Sequence, residues 1–414
     1  METSGFYKLS REERIERIKK HAKLTDEEVK IITNGGSLSD ERADKMVENV
    51  FGAVHLPMGV ATNFKVNGKE YVVPMAIEEA SVIAAASRAA KQTLPEGFKA
   101  NADSPIMVGQ ILLTNIEDVE QAMKNIEVNK KHILETGGSF LKHVEIYGCG
   151  LKDFKAKILE TDRGKMIVVN FFINVGDAQG ANMVNSTLEG VAPTLEKIVN
   201  GTARVKIVSN LATERLANAT AVWKKEVVGE KVIEAVLDGY EFARTDIYRC
   251  STHNKGIMNG VDAVAMAVGN DWRSVEAGAH TYAAMGKYEP LTKYYKNENG
   301  DLVGSIDIPL ALATAGPAMS SNPTATIALK ILGTSGSKEL AMVIACVGLA
   351  NNFAALSALG TVGIQKGHMK LHARSIASQA GAVGEEVDKV AEVLAKEKNF
   401  QIEYAQEVLE RVRK

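Results

Sequence analysis

Apolar and polar positions along this chain follow two periods, and the switches between them mark its elements. Ile106–Thr114 is an apolar strand candidate, and residues 116–134 follow at helical spacing through Val119, Met123, Ile126 and Ile133. Phe154, Ala156 and Ile158 then alternate with Lys155 and Lys157, the period of a half-buried strand. Asp162-Arg163-Gly164 makes a turn, and residues 165–175 return with Ile167, Val169, Phe171 and Ile173 on one face. Val184, Leu188, Val191, Leu195 and Ile198 recur at spacings of four and three, which predicts a second helix. Residues 204–208 close the set as a strand. The order β-α-β-β-α-β is the split βαβ, ferredoxin-like arrangement.

Outside this unit the pattern changes character. Ser10 with Glu13, and Thr25 with Glu28, are capping-box spacings that predict two N-terminal helices, the second stopped by Asn34-Gly35-Gly36. Residues 340–364 form a long uncharged stretch interrupted by Asn351, Asn352, Gly348, Gly360 and Gly363, read as a buried helix near a ligand rather than a membrane span. The uncharged stretch 308–329 contains Pro309, Pro317 and Pro323, so it is not one spanning helix. Beyond Gly381, residues 385–398 and 401–414 are charge-rich and amphipathic, a small helical appendage expected to be mobile.

Composition narrows the function classes. The chain has 414 residues, 45% hydrophobic and 24% charged, which are globular values with room for two or three domains. Forty-nine Lys+Arg against 51 Asp+Glu leave a net charge of −2, so no field advertises nucleic acid or an acidic membrane. Three cysteines, Cys149, Cys250 and Cys346, cannot build a disulfide framework and favour a reducing compartment. The first residues and the charged run Arg11–Lys23 lack the basic-then-apolar order of a signal peptide.

Four stretches carry candidate chemistry. Val175–Asn182 lies where a strand ends and a helix begins, and its small residues let an anionic ligand approach backbone N–H groups at a helix N-terminus. Helix capping by Asp177 is the plainer reading of the same residues. No GxGxxG occurs, so a doubly wound dinucleotide domain is not supported. Glu78 and Glu79 follow the apolar strand 71–73 and precede a run of alanines, either as first-turn dipole complements or as an acid with a raised pKa. Tyr248–Gly260 concentrates Arg249, His253, Asn254, Lys255 and Asn259 near glycines, followed by Gly269–Arg273, and reads as a donor-rich loop for a carboxylate or oxyanion. His368 and His372 stand four apart without a third ligand, so a single catalytic histidine is a better functional reading than a metal pair.

Taken together, Glu48–Gly52, Val73–Ser87, Gly176–Asn185, Tyr248–Asp271 and Gly363–Arg374 resemble the soluble class II 3-hydroxy-3-methylglutaryl-coenzyme A reductases, in the family's order over nearly the whole chain. The resemblance implies an α+β fold. Residues 1–104 and 211–365 would form a large mixed α/β domain for substrate and CoA. Residues 105–210 would form an inserted ferredoxin-like NAD(P) domain, and 366–414 a C-terminal helical flap. It implies a cytoplasmic oxidoreductase of isoprenoid biosynthesis that interconverts hydroxymethylglutaryl-CoA and mevalonate plus CoA by two hydride transfers from NADH or NADPH. The enzyme would be a homodimer with shared active sites, or a higher assembly of such dimers, with no metal, nucleic acid or membrane partner.

By motif, Glu79, Lys255, Asp271 and His368 correspond to the family's catalytic residues. Ser81, Asn210, Arg249 and Asn259 fall at positions that hold the hydroxymethylglutaryl group, and Asp177, Gln179, Gly180 and Asn182 match the nicotinamide cofactor motif. Gln179 stands where the family usually has Met, and no acid in 138–150 corresponds to the one some NADH-preferring relatives carry. The implied chemistry needs these residue types. An ammonium at Lys255 suits the oxyanion formed at a thioester, Asp271 would hold it charged, His368 would protonate the departing thiolate, and Glu79 would protonate the reduced carbonyl oxygen. Arg249 suits a free carboxylate. Two other readings stay open: a thioester reductase with a covalent thiohemiacetal on Cys250, and a non-catalytic CoA- or nucleotide-binding protein.

Overall fold

The computed structural model describes residues 1, 5–35, 38–316, 322–361, 363 and 373–413. Its centre is a six-stranded sheet of β1 (Met58–Val66), β2 (Lys69–Ala76), β3 (Phe98–Ala102), β8 (Leu216–Trp223), β9 (Thr292–Lys296) and β10 (Leu302–Pro309), ordered β2-β1-β3-β8-β10-β9. Between β3 and β8 in the sequence lies a second sheet of β4 (Ile106–Thr114), β5 (Gly150–Thr161), β6 (Gly164–Asn174) and β7 (Thr202–Val208), ordered β5-β6-β4-β7 with every pairing antiparallel. That order is the ferredoxin-like one expected from the residue pattern. Each sheet has its own core, around Phe64, Trp223 and Phe353 in the large one and around Ile111, Phe171 and Leu188 in the small one.

Both predicted capping boxes form, with Ser10 and Thr25 each accepting from the N–H three residues on. The single helix expected over 116–134 is instead two, Val119–Val128 and Lys130–Ser139. They break at Asn129, whose side-chain amide donates to the Asn125 carbonyl and competes with the helical ladder.

The apolar helix Ser337–Leu359 runs through the large core. It is long and apolar enough to cross a membrane, but 78% of its most apolar window is buried inside the protein. Its polar positions explain why. Asn352 Oδ1 accepts from Thr292 and Tyr294, and Asn351 Nδ2 donates to the Gly256 carbonyl at 2.6 Å. Buried amides so satisfied belong to a packed interior. Phe353 stacks on Trp223 with centroids 4.0 Å apart. Where this helix meets Ile247–Ala267, a Cβ on Gly260 would meet Val347 and Asn351 at 3.1 Å, and one on Gly348 would meet Val261 at 2.9 Å. The two glycines bring the backbones together and set the height of Lys255 above the core.

The C-terminal part has a third core. Residues 373–379 and the helices Glu385–Glu397 and Ile402–Arg413 pack through Ala377, Val390, Leu394, Ala405 and Val408.

Candidate active site

Residues 247–267 form one 21-residue helix, not the donor-rich loop expected from their polarity. The polar residues divide between its faces. His253 and Asn254 are buried: His253 Nε2 meets Thr292 Oγ1 at 2.7 Å, and Asn254 receives Leu291 N–H and donates to the Glu289 carbonyl. Thr292 donates onward to Asn352, so it accepts from His253 and fixes the ring proton on Nε2. Burial, and secondarily the Arg249 charge, hold His253 down at about 3, a neutral core histidine. Lys255 and Asn259, four residues apart, face the other way. Lys255 Nζ lies 2.9 Å from Glu79 Oε2, and Asn259 Nδ2 donates to the same oxygen at 3.3 Å. Glu79 Oε1 has no partner among the described residues.

Glu78 and Glu79 are not first-turn helical residues, because the helix begins only at Val82. They sit in the turn after β2, which presents Glu79 sideways to Lys255. Ser81 ends that turn with φ +80°, a conformation unfavourable for any residue with a Cβ, and its Oγ is buried without a hydrogen-bond partner among the described residues. A strained backbone carrying an orphaned hydroxyl beside the Glu79–Lys255 pair is an open position for a ligand oxygen.

Asp271 departs from expectation. Its Oδ1 lies 2.9 Å from Arg273 Nη2 in an ion pair without hydrogen-bond geometry, and it makes no contact with Lys255. The anion next to the ammonium is Glu79. A further carboxylate, Glu276 on the helix Trp272–Ala283, lies within electrostatic reach of Lys255. Its Oε2 is 2.8 Å from His280 Nε2, and His280 Nδ1 is 2.8 Å from the Tyr288 hydroxyl. Burial first, and then Glu276 itself, push the adjacent Asp262 carboxyl well above the usual aspartate range, so the two acids share a proton. Asp262, Glu276 and His280 escaped the sequence reading, and the only signal was their i,i+4 and i,i+7 spacing from Lys255 or from each other.

Asn210 is exposed, with its carbonyl against Gly278 of the same helix. Arg249 is partly buried, which pulls its pKa down, and no carboxylate pairs with it among the described residues. It lines a cavity of about 660 Å³ with Phe242, Leu356 and Leu359. Lys231, Glu234 and Asp238 line the same cavity, and an Arg249 guanidinium without an ion-pair partner suits a carboxylate of a ligand. His368, His372 and the start of the expected flap lie outside the described residues.

The Asp177–Asn182 turn joins β6 to the 19-residue helix Ala181–Val199. Asp177 does not cap that helix. Its Oδ1 accepts the Ser337 N–H at 2.7 Å, and its carbonyl accepts Thr314 and Ala315 N–H, so it ties the small sheet to the large unit. The helix cap is Gly180, at φ +99° and without a side-chain bond, and a Cβ there would meet Val175 at 2.5–2.9 Å. Gln179 Oε1 accepts the Ala181 N–H at 3.3 Å. Close backbone approach at a helix start whose N-cap is a glycine is a fit for the pyrophosphate of a dinucleotide.

The chain is similar to known proteins along nearly its whole length. Residues 10–373 match the family model described as hydroxymethylglutaryl-coenzyme A reductase. The chain is 49% identical to a 3-hydroxy-3-methylglutaryl-coenzyme A reductase of Archaeoglobus fulgidus over 99% of its own length and 94% of that protein. It is 35% identical to a probable reductase of that name from Borreliella burgdorferi, over 80% of this chain and 77% of that one. A solved reductase from Streptococcus pneumoniae superposes with a TM-score of 0.84 at 37% identity, covering both chains fully. Another, described as a class II enzyme bound to NADPH in open conformations, gives 0.82 at 37% over 98% and 100%.

Proposed function

The chain belongs to the hydroxymethylglutaryl-coenzyme A reductase family, and we propose that the Glu79–Lys255–Asn259 triangle is the centre at which it does the family's chemistry. It is a class II, NAD(P)-dependent oxidoreductase that reduces hydroxymethylglutaryl-CoA to mevalonate and releases CoA. The observation that carries the site is the 2.9 Å Glu79–Lys255 pair.

The pair's geometry matches what the reaction demands. As the thioester carbonyl is reduced its oxygen becomes negative, and the Lys255 ammonium, kept in place by Glu79, neutralises it. Glu79 Oε1 is free to hold the proton that the second carbonyl oxygen must gain. Asn259 orients the carboxylate by holding its other oxygen. Ser81 and Asn210 supply polar contacts to the acyl group, and Arg249 binds its free carboxylate. Asp271 belongs to the catalytic set by motif, with Arg273 as its partner in this structure. His368 protonates the departing thiolate. Asp177, Gln179, Gly180 and Asn182 hold the nicotinamide dinucleotide, which when bound supplies the hydride.

A covalent route through Cys250 loses its support. The thiol is 1% exposed and burial pushes it up to about 11, so it is neither accessible nor ionised.

The working unit is a cytoplasmic homodimer that completes each site from two chains. Phe51 and Val54 are fully exposed in the loop around the Glu48–Gly52 motif, apolar surface that a partner would cover. Three free, buried cysteines accord with a reducing compartment. Residues 105–210 act as the cofactor domain, the flanking segments as the substrate domain, and 366–414 as a flap. Turnover decides the assignment. Oxidation of NADPH or NADH by hydroxymethylglutaryl-CoA should survive Cys250→Ala and be lost in Glu79→Gln, and the reverse outcome would reject the triangle.

A further inference from the structure

Arg215 is buried to 5% exposure, has no ion-pair partner among the described residues, and spends its guanidinium on backbone carbonyls. Nη1 donates to the carbonyls of Ala178 and Gln179 at 3.2 and 3.5 Å, and Nη2 to that of Leu312 at 2.5 Å. Its own backbone carbonyl accepts Leu310 N–H at the point where β10 leaves β8. One side chain therefore ties three pieces: the start of the central strand β8, the segment after β10, and the turn between β6 and its helix. Burial pulls its pKa down to about 10 while the nearby Asp177 opposes the fall, so it stays charged at neutral pH.

The consequence lies in peptide geometry. A trans peptide points its C=O and the following N–H in opposite directions. Drawing the Ala178 and Gln179 carbonyls toward Arg215 turns the N–H groups of Gln179 and Gly180 away from it. Neither N–H donates to anything among the described residues, and they stand next to the start of helix Ala181–Val199.

We propose that Arg215 is a positioning residue for dinucleotide binding: it holds two successive peptides of the turn so that their N–H groups form a preset pair of donors for a pyrophosphate. Resting on the assignment of this turn to the cofactor, the inference adds the residue that shapes it from behind, across the junction of the two sheets. Lysine cannot replace it, since a single ammonium cannot span carbonyls of two peptides and of Leu312 in one plane.

The test uses the full-length protein and four measurements. Hydrogen exchange of residues 176–183 with and without NADPH checks the turn itself; no protection on binding rejects both the turn and Arg215. Given protection, NADPH affinity by nicotinamide fluorescence is compared in wild type, Arg215→Lys and Arg215→Ala, with hydroxymethylglutaryl-CoA affinity by calorimetry beside it. Both variants should weaken NADPH roughly tenfold to a hundredfold, as for lost charge-assisted hydrogen bonds, while hydroxymethylglutaryl-CoA changes less than about twofold. Added guanidinium ion should restore NADPH binding to Arg215→Ala and not to Arg215→Lys. Wild-type NADPH affinity in a folded Arg215→Lys would overturn the inference. So would a parallel loss of both ligands, which marks a purely structural residue. Should Arg215→Ala fail to fold, Arg215→Lys alone decides by the same split between ligands.

Discussion

Lys255 Nζ stands 2.9 Å from Glu79 Oε2, a contact between residues 176 apart in the chain. A helix that crosses the core and the turn that leaves β2 meet there at a charged pair. The Lys255 side chain is 59% exposed, so the pair adds little to stability and its removal should act on chemistry alone. Lys255→Ala should keep its melting temperature and lose about 10²–10³ in kcat or more. Retention of over about a tenth of wild-type kcat would remove Lys255 from the mechanism.

At Gly180 a side chain meets two obstacles, φ +99° and contact with Val175 at 2.5–2.9 Å. Gly180→Ala should cost about 1–3 kcal/mol of stability and raise the KM for NAD(P)H more than that for hydroxymethylglutaryl-CoA. Urea unfolding and steady-state kinetics read the two effects. Equal changes in both KM values would detach the turn from the cofactor.

The Asp262–Glu276 pair predicts a pH dependence. Burial, then Glu276, raise the Asp262 pKa in the folded state, so as pH rises past the ordinary aspartate value the unfolded chain releases a proton that the folded chain keeps. Fewer bound protons in the unfolded state mean stability falls with rising pH over that window. Asp262→Asn cannot ionise in either state and should lose this fall, with a higher urea midpoint than wild type at pH 8. A wild-type midpoint independent of pH between about 5 and 8 would show that Asp262 does not hold its proton.

A proton donor to the departing thiolate, the role proposed for His368, acts only in the step that releases CoA. Reduction of free mevaldehyde should be nearly untouched in His368→Gln, while reduction of hydroxymethylglutaryl-CoA falls. Comparable losses in both assays would assign the histidine to another step or to structure.

The C-terminal helices bury Val390, Leu394, Ala405 and Val408 in a core of their own. A unit that carries its own core can move as a body and close over bound substrate. Hydrogen exchange across residues 373–413 should slow when substrate and cofactor are both present, and identical protection with and without them would leave a fixed domain.

Much of this protein is legible in the sequence because the relevant forces are local. Period-two and period-3.6 patterns in 106–208 report which face of each element avoids water and give the chain order β-α-β-β-α-β, which folds into the ferredoxin-like sheet order β5-β6-β4-β7. Ser10 and Thr25 cap their helices through atoms three residues away. The motif stretches single out Glu79 and Lys255 by resemblance, and the structure sets the two side chains 2.9 Å apart. What sequence could not decide depends on partners distant along the chain. Residues 248–260 look like a polar loop until the buried helix Ser337–Leu359 supplies Asn351 and Asn352, and the sheet Thr292, to satisfy that side. Only then does helix win, with Lys255 and Asn259 left on the outer face. Asp177 reads as a cap for its own helix because that is its nearest donor in sequence, yet folding presents the N–H of Ser337, 160 residues on. Nothing in the sequence pattern singles out Arg215, and only the folded chain brings three carbonyls from two other segments onto its guanidinium. Local hydrogen bonds and apolar periodicity belong to the sequence. The choice of which polar groups are spent inside, and which are left to meet substrate, belongs to the tertiary structure.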